Sequence, residues 1–180
     1  LERRPLAIKV ENLPRDHRPQ WGLSLADLVY EYYTEEGTTR FVALFYGNDA
    51  EQVGPIRSAR FFDAPIIRMY KAIFAFGSAD VRVRNRLYSA EFADRLVLEW
   101  QADCPAMCRF DPQGYNHLLA NTAALSAYAT QKGISNGRQN LDGMFFQQQT
   151  PVGSAGAAVH VFTHYSSAIY NRWDYDSAIG

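Results

Sequence analysis

The sequence predicts an α+β domain in which a mixed sheet, including a β-hairpin, packs against helices within a single main domain. Runs rich in β-branched and aromatic residues, separated by turns, predict the strands. Apolar residues spaced three or four apart behind capping residues predict the helices. A chain of 180 residues that is 47% hydrophobic is long enough to bury a core of its own.

Charge and hydropathy argue against two classes of protein. The formal net charge is -1, whereas nucleic-acid binders are normally basic, so no nucleic-acid partner is expected. The sequence has no apolar run of the roughly 18 residues that a membrane-spanning helix needs. Its cations are fifteen arginines and only three lysines, and arginine suits bidentate pairing with carboxylate or phosphate groups.

The first part of the chain predicts a strand and then a hairpin. Residues 6–10 form a short apolar strand, and Ser24 can cap a single helical turn. Residues 28–34 and 38–46 are two strand-like runs around a short turn that contains Gly37. This arrangement is typical of a β-hairpin.

A glycine-proline turn at residues 54–55 introduces the most distinctive segment. Beyond it the pattern predicts a helix to about Tyr70, in which Pro65 either kinks the helix or begins its second half. Arg57 and Arg60 would then lie in the first helical turn, where guanidinium groups and unpaired backbone N–H groups meet. The segment therefore predicts an anion-binding site at a helix start.

The middle of the chain predicts a strand followed by a helix. Residues 71–76 have strand composition, and Ser78 is the expected N-cap of a helix that reaches Ala90. Residues 81–87 also alternate between apolar and polar types, which would suit a strand. We favour the helix because the cap is followed by apolar residues at helical spacing, namely Val83, Leu87 and Ala90.

The next region combines a predicted loop with a predicted helix. Residues 104–114 contain two prolines and are expected to form a loop. Its two cysteines, Cys104 and Cys108, are either a small-loop disulfide or two free thiols, and the sequence does not choose between them. Residues 122–132 predict an alanine-rich helix with Gly133 at its C′ position.

The last part of the chain predicts two strands, at residues 157–163 and 170–175. Residues 134–156 are expected to be mostly loop, apart from the apolar segment 144–146. Small residues and proline cluster at residues 150–156 and suggest a domain boundary there.

A cluster of charged residues forms the candidate site. Strand alternation places Glu31 and Glu35 on one face of the hairpin, where they could meet the arginines of the following segment. In a functional interpretation the glutamates are acid/base candidates and the arginines hold an anion. Spacing alone favours a structural ion-pair network instead. The candidate ligand-binding residues are Arg57, Ser58, Arg60, Arg40, Glu31, Gln20 and Asp27.

The sequence gives no sign of a metal site, a cofactor or a nucleophile–base pair. Four histidines are scattered through the chain without a ligand motif, and Ser58 has no histidine near it in sequence. We expect Arg40 to keep Glu31 and Glu35 ionised, so that both glutamates are ion-paired or accept backbone hydrogen bonds. The alternating arginines of residues 82–86 are expected to face solvent.

One block of motifs between residues 18 and 60 is distinctive. It consists of Arg18-Pro19-Gln20, Gly22-Leu23, Ala26-Asp27, Val29-Tyr30-Glu31, Glu35, Thr39-Arg40-Phe41 and Val53-Gly54-Pro55-Ile56-Arg57-Ser58-Ala59-Arg60. This block resembles the YerB-like family of bacterial proteins, which are regarded as exported lipoproteins built around a domain of unknown function. The resemblance is dense over residues 6–60, thinner to about residue 132, and returns weakly over residues 159–176.

The resemblance implies an α+β fold, export, and membrane attachment only through a lipidated cysteine upstream of Leu1. Residues 1–150 would form the family's N-terminal domain. The run Trp173-Asp174-Tyr175-Asp176 is similar to the opening of the family's second domain, so residues 157–180 would begin a truncated second domain. The resemblance implies no established activity.

The favoured function is therefore an extracytoplasmic binding module that recognises an anionic or cell-envelope ligand through Arg57 and Arg60. One alternative is a cell-envelope hydrolase or transferase with a glutamate acid/base. The other is a structural interaction domain without a small-molecule site.

Overall fold

A five-stranded mixed sheet forms the centre of the computed structural model, which describes residues 2–12, 18–35, 37–111, 117–143, 159–167 and 169–178. Its strands are β1 (Leu6–Glu11), β2 (Leu28–Tyr33), β3 (Thr39–Phe45), β4 (Ile73–Phe76) and β5 (Leu96–Leu98). Their order in the sheet is β2-β3-β1-β4-β5. β3 is antiparallel to both of its neighbours, and β1, β4 and β5 are parallel to one another.

Three helices and two small sheets complete the described part of the fold. The helices are α1 (Asp63–Tyr70), α2 (Val81–Tyr88) and α3 (Thr122–Gln131), and short 3-10 turns occupy Leu23–Leu25, Ala93–Arg95 and Glu99–Gln101. β6 (Met107–Arg109) pairs with β7 (Leu118–Ala120), and β8 (His160–His164) pairs with β9 (Tyr170–Asp174). The prediction of an α+β fold is confirmed.

The central sheet is buried on both faces, which explains why β1 is apolar along most of its length. Leu6, Ile8 and Val10 face one cluster, which α3 and the β6–β7 pair cover. Ala7 faces the other cluster, which α1 and α2 cover. Successive strand residues point to opposite faces, so a strand between two helical layers contributes to both cores.

Several predicted elements are confirmed with small shifts at their ends. The hairpin is β2 and β3, paired in register from Leu28 and Leu44 to Tyr33 and Thr39. Residues 81–87 belong to a helix, with Val83 and Leu87 buried. In the third helix the side chain of Asn121 accepts a hydrogen bond from the N–H of Ala124. The two predicted C-terminal strands are β8 and β9.

The predicted helix from residue 56 is wrong in its first part, since α1 begins only at Asp63. Residues 53–59 are extended, because their backbone groups pair with other segments. The N–H of Val53 donates to Ala120 O at 2.8 Å, and the N–H of Ile56 donates to Leu118 O at 2.8 Å. Pro65 lies in the first turn of α1, where a missing N–H costs little.

Two further predictions need correction. The N-cap of α2 is Asp80 rather than Ser78, since the Asp80 carboxylate accepts a hydrogen bond from the N–H of Arg82. Residues 107–109, predicted as loop, form β6, a strand too short to show alternation. Of the two states left open for the cysteines, the structure has the disulfide between Cys104 and Cys108.

The β8–β9 hairpin contacts the main sheet. Ile169 is 1% exposed, and the ring of Trp173 meets that of Phe41 edge-on, with centroids 5.9 Å apart.

The predicted boundary at residues 150–156 and the apolar segment 144–146 lie outside the described residues. The division into residues 1–150 and 157–180 therefore stays a prediction. Within the described parts of the chain, none of the helices has the length and hydropathy that a membrane crossing requires.

Candidate functional site

One edge of the central sheet collects most of the polar residues of interest. The strands β1 and β2 run in the same direction because both are antiparallel to β3. Since β4 and β5 are parallel to β1, all four strands end on the same side of the sheet. We call this side the carboxyl edge; the residues at or just beyond its strand ends include Glu35, Glu11, Gly77, Ser78 and Glu99. In open sheets, ligands commonly bind outside the carboxyl ends of parallel strands.

Residues 55–59 are inserted between β1 and β4 at this edge. The N–H of Glu11 donates to Pro55 O at 2.9 Å, and the N–H of Arg57 donates to Lys9 O at 3.0 Å. On the other side, the N–H of Gly77 donates to Arg57 O at 3.0 Å. The inserted segment therefore carries Arg57 and Ser58 directly onto the carboxyl edge, as an extended chain rather than a helical turn.

Arg57 and Ser58 each contact a neighbouring strand end. The Nε of Arg57 donates to Glu11 Oε1 at 2.6 Å, and both side chains are mostly buried. The hydroxyl of Ser58 lies 2.6 Å from that of Ser78. Among the described residues no hydrogen bond joins Ser58 to a histidine, and the expected lack of a base partner stays a prediction.

Two more guanidinium groups meet beside the inserted segment. Nη1 of Arg40 donates to Ser58 O at 3.0 Å, and Nη1 of Arg60 reaches the same oxygen at 3.5 Å. Arg60 also makes a bidentate pair with the carboxylate of Glu35. Burial lowers the pKa of Arg40, and the nearby charge of Arg60 lowers it further. Among the described residues, no carboxylate lies within ion-pair distance of Arg40.

A fully buried charge pair, which the sequence analysis missed, lies beneath these arginines. Lys9 Nζ donates to Asp63 Oδ1 at 3.0 Å, and the hydroxyl of Tyr32 bridges the same two groups. The other Asp63 oxygen accepts the backbone N–H of Arg60 at 2.6 Å, so the buried pair fixes the position of Arg60. Burial lowers the pKa of Lys9 to about 8, although Asp63 opposes the shift. The sequence feature that could have revealed this pair is Lys9 itself, a single lysine within the otherwise apolar residues 6–10.

The two candidate glutamates have different surroundings. Arg60 lowers the pKa of Glu35, so the expectation of an ionised, ion-paired residue is confirmed there. For Glu31 the expectation is wrong. Its carboxylate accepts hydrogen bonds from the side chains of Thr39, Thr163 and Asn171 and no described arginine contacts it. Burial therefore raises its pKa.

The remaining candidate residues lie away from the arginines. Asp27 accepts the backbone N–H groups of Tyr46 and Gly47 at 2.6 and 3.0 Å, which stabilises the end of β3. The side chain of Gln20 donates to Asn12 Oδ1 at 3.4 Å, beside the end of β1. Within the described ranges no cluster of histidine, cysteine and acidic residues could hold a metal ion, and His17 lies outside those ranges.

A cavity of about 460 Å³ opens beside Arg60. Aromatic side chains form much of its wall, with Phe61 and Phe62 half exposed and the ring of Tyr32 between the cavity and the buried lysine. The described residues that line it are Tyr32, Tyr33, Thr34, Glu35, Arg60, Phe61, Phe62, Asp80, Arg82 and Val83. The site therefore offers a guanidinium group and aromatic faces to the same bound molecule.

Comparison with known proteins shows the family to which this chain belongs. The family described as "Protein of unknown function (DUF3048) N-terminal domain" matches residues 1–135. The chain belongs to this family. It is 38% identical over 108 residues to "Putative lipoprotein YerB" of Bacillus subtilis (strain 168), a match that covers 57% of this chain and 32% of that protein.

The crystal structure of YerB protein from Bacillus subtilis has the same fold as this DUF3048 chain. The TM-score is 0.77 at 28% sequence identity, and the match covers 99% of this chain and 59% of that one. The resemblance to the YerB-like family is therefore confirmed. The chain spans about a third of the curated relative and about three fifths of the solved structure.

Proposed function

We propose that this chain is an extracytoplasmic binding module that holds an anionic cell-envelope ligand at the carboxyl edge. The observation that carries the proposal is the convergence of Arg40 and Arg60 on one carbonyl oxygen beside an aromatic-walled cavity. Two guanidinium groups meet at this partly buried point, and that of Arg40 has no ion-pair partner among the described residues. This arrangement favours a negatively charged ligand.

The charge balance of this region supports the same proposal. Four cationic side chains lie together with three acidic ones, and the set is Lys9, Arg40, Arg57, Arg60, Glu11, Glu35 and Asp63. The one-charge excess suits a weakly anionic ligand rather than a polyanion. The extracytoplasmic location in this proposal rests on the lipoprotein name of the B. subtilis relative.

Glu31 is the basis of the alternative function, a hydrolase or transferase. Its raised pKa suits a general acid. However, side-chain donors already occupy its carboxylate. The cavity beside Arg60 likewise argues against a purely structural domain, for which the charged network would be closed.

The proposal is tested with two sugars that share a ring and differ in charge. N-acetylmuramic acid carries a carboxylate, whereas N-acetylglucosamine is neutral, and NMR titration measures both affinities at low salt. We expect the acid to bind more tightly, with the shifted amides at residues 32–35 and 57–62. Equal binding of the two sugars, or binding of neither, would contradict the proposal.

Substitutions then locate the site. Arg40→Gln and Arg60→Gln should each weaken binding of the acid about tenfold, because a lost charged hydrogen bond is worth roughly 1.5–3 kcal/mol. Arg84→Gln is the matched control, since Arg84 is exposed on α2. If Arg84→Gln weakens binding as much as the edge variants do, the arginines of the carboxyl edge have no special role.

A further inference from the structure

We infer that the ligand of the proposed site is a linear acidic glycan that lies along the whole carboxyl edge, with a second subsite at Trp100. This inference rests on the proposed function and adds the class and length of the ligand. It follows from a strip of polar side chains that continues past the arginines, and from a second cavity at the far end of the sheet.

The polar strip is continuous from β2 to β5. At one end, the carboxylate of Glu35 contacts Arg60. The guanidinium groups of Arg60 and Arg40 both donate to the carbonyl oxygen of Ser58. The hydroxyl of Ser58 in turn contacts that of Ser78. The next strand end is Gly77, whose missing Cβ would lie 3.8 Å from both Arg57 O and Glu99 Oε2. This strand end therefore lies in contact range of both the inserted segment that carries Arg57 and the carboxylate of Glu99.

The far end of the strip has a cavity of its own, of about 360 Å³. Glu99 and Arg109 form an ion pair there, with Arg109 Nε 2.5 Å from Glu99 Oε1. Trp100 follows shortly after the end of β5, and its side chain is 74% exposed. The Cys104–Cys108 disulfide ties the loop that forms the other wall.

The chemistry of the strip fits a glycan better than a polyphosphate. Three arginine–carboxylate pairs lie along it: Arg60–Glu35, Arg57–Glu11 and Arg109–Glu99. Such pairs offer planar donors and acceptors to hydroxyl groups, while their carboxylates would repel closely spaced phosphates. Exposed aromatic rings stand at both ends, and their faces can stack on the C–H faces of sugar rings.

The length of the strip sets the length of the ligand. Neighbouring strands lie about 4.8 Å apart, so five strands with the inserted segment span roughly 20–25 Å. A monosaccharide fills only one of the two cavities. A chain of several sugars, with a carboxylate on some of them, would reach from Phe62 to Trp100.

The test uses peptide-free glycan fragments of alternating N-acetylglucosamine and N-acetylmuramic acid, one to four disaccharides long, and calorimetry on the intact chain. We expect the affinity to rise at least tenfold from one disaccharide to three, and then to level off. Trp100→Ala should remove this gain, so that three disaccharides bind no more tightly than one. Leu25→Ala is the control, because Leu25 is also half exposed but precedes β2 at the opposite edge.

Gly77 provides an independent variant in the middle of the strip. Gly77→Ala adds only a methyl group at ordinary contact distance, so it should weaken the binding of long fragments less than a larger side chain does. Gly77→Gln should obstruct the strip, so that long fragments bind only as tightly as one disaccharide.

The outcomes separate this inference from the proposed function. Tight binding of one disaccharide without any gain from length would overturn the inference and leave the proposed function standing. No binding of any fragment would overturn both. A gain with length for oligoglutamate peptides, without one for the glycan fragments, would overturn the inference, because the strip would then bind acidic peptides instead of glycans.

Discussion

Two ionisable side chains of the sheet, the fully buried Lys9 and the partly buried Glu31, respond to burial in opposite directions. Burial disfavours the charged form of each, which lowers the pKa of Lys9 to about 8 and raises that of Glu31. Lys9 is compensated by Asp63, whereas Glu31 has neutral hydrogen-bond donors only among its described partners. The two residues therefore predict different dependences of stability on pH.

For Glu31 the free energy of unfolding should fall as the pH rises above the unfolded value of about 4.5. The folded state binds the proton more tightly than the unfolded state, so the stabilisation is complete below the unfolded pKa and is lost as the pH rises through the folded pKa. Glu31→Gln has no such proton and should flatten this part of the curve. Urea unfolding of both proteins between pH 4 and pH 7 measures the difference; parallel curves would contradict the prediction.

Lys9→Met should destabilise the fold by roughly 3–5 kcal/mol at pH 7, because it leaves the carboxylate of Asp63 buried without its cation. The double variant Lys9→Met/Asp63→Asn should recover part of the loss, since asparagine can still accept the N–H of Arg60. Denaturant unfolding measures all three proteins. A single variant as stable as the wild type would show that the pair contributes nothing.

The same pair predicts a change at alkaline pH. The folded pKa of Lys9 lies below the unfolded one, so the unfolded state holds more protons between about pH 8 and pH 10.5. Across that window the stability of the wild type should rise relative to that of Lys9→Met. Unfolding curves at pH 7.5 and pH 10 provide the comparison, and a constant difference would contradict the assignment.

At the scale of elements, the segment from Gly54 to Ala59 determines where the arginines lie. Its backbone pairs with β1, with Gly77 after β4, and with β7, so it cannot form the helical turn that its sequence suggests. Gly54 is essential to this path. A Cβ there would lie 2.7 Å from Leu119 Cδ2 and 2.8 Å from the carbonyl oxygen of Leu118.

Gly54→Ala should therefore lower the free energy of unfolding by about 1–3 kcal/mol, as overpacking against the backbone usually does. It should also weaken anion binding, because the inserted segment carries Arg57 and Ser58. Gly137→Ala is the control, since nothing lies within 4 Å of a Cβ at that position. Equal melting temperatures for the two variants would mean that the segment can shift without cost.

At the scale of the whole molecule, the described contacts between the β8–β9 hairpin and the central sheet lie mainly around Glu31 and Phe41. Asn171 donates to Glu31, Tyr165 reaches Glu31 O at 3.4 Å, and Trp173 meets Phe41. Most other residues of the two strands are exposed. The hairpin should therefore open separately from the sheet, with lower free energy than global unfolding.

Asn171→Ala should speed amide hydrogen exchange at residues 160–174 while β1, β3 and β4 keep their protection. The variant removes a hydrogen bond to a partly buried carboxylate, worth about 1.5–3 kcal/mol. Val161→Ala is the control on the same hairpin, because Val161 is 50% exposed. Faster exchange throughout the sheet would show that the hairpin and the sheet open together.

Sequence patterns predicted most of the elements because those elements depend on local signals. The hairpin was evident from two strand-like runs around Gly37, and α2 from the spacing of Val83 and Leu87. The motif block identified the family, which the match over residues 1–135 confirms. The ion pair of Glu35 with Arg60 was also within reach, since the sequence placed both residues near the hairpin.

Only the tertiary structure decided how the charged residues combine. Arg57 pairs with Glu11 from a different strand, Glu31 meets Asn171 from 140 positions away, and Lys9 finds Asp63 at the start of α1. The sequence determined which residues could be charged and which local elements could form. It could not determine the partners or the exposure of each charge, because both depend on segments that meet only when the sheet assembles, and burial then sets the sign of each pKa shift.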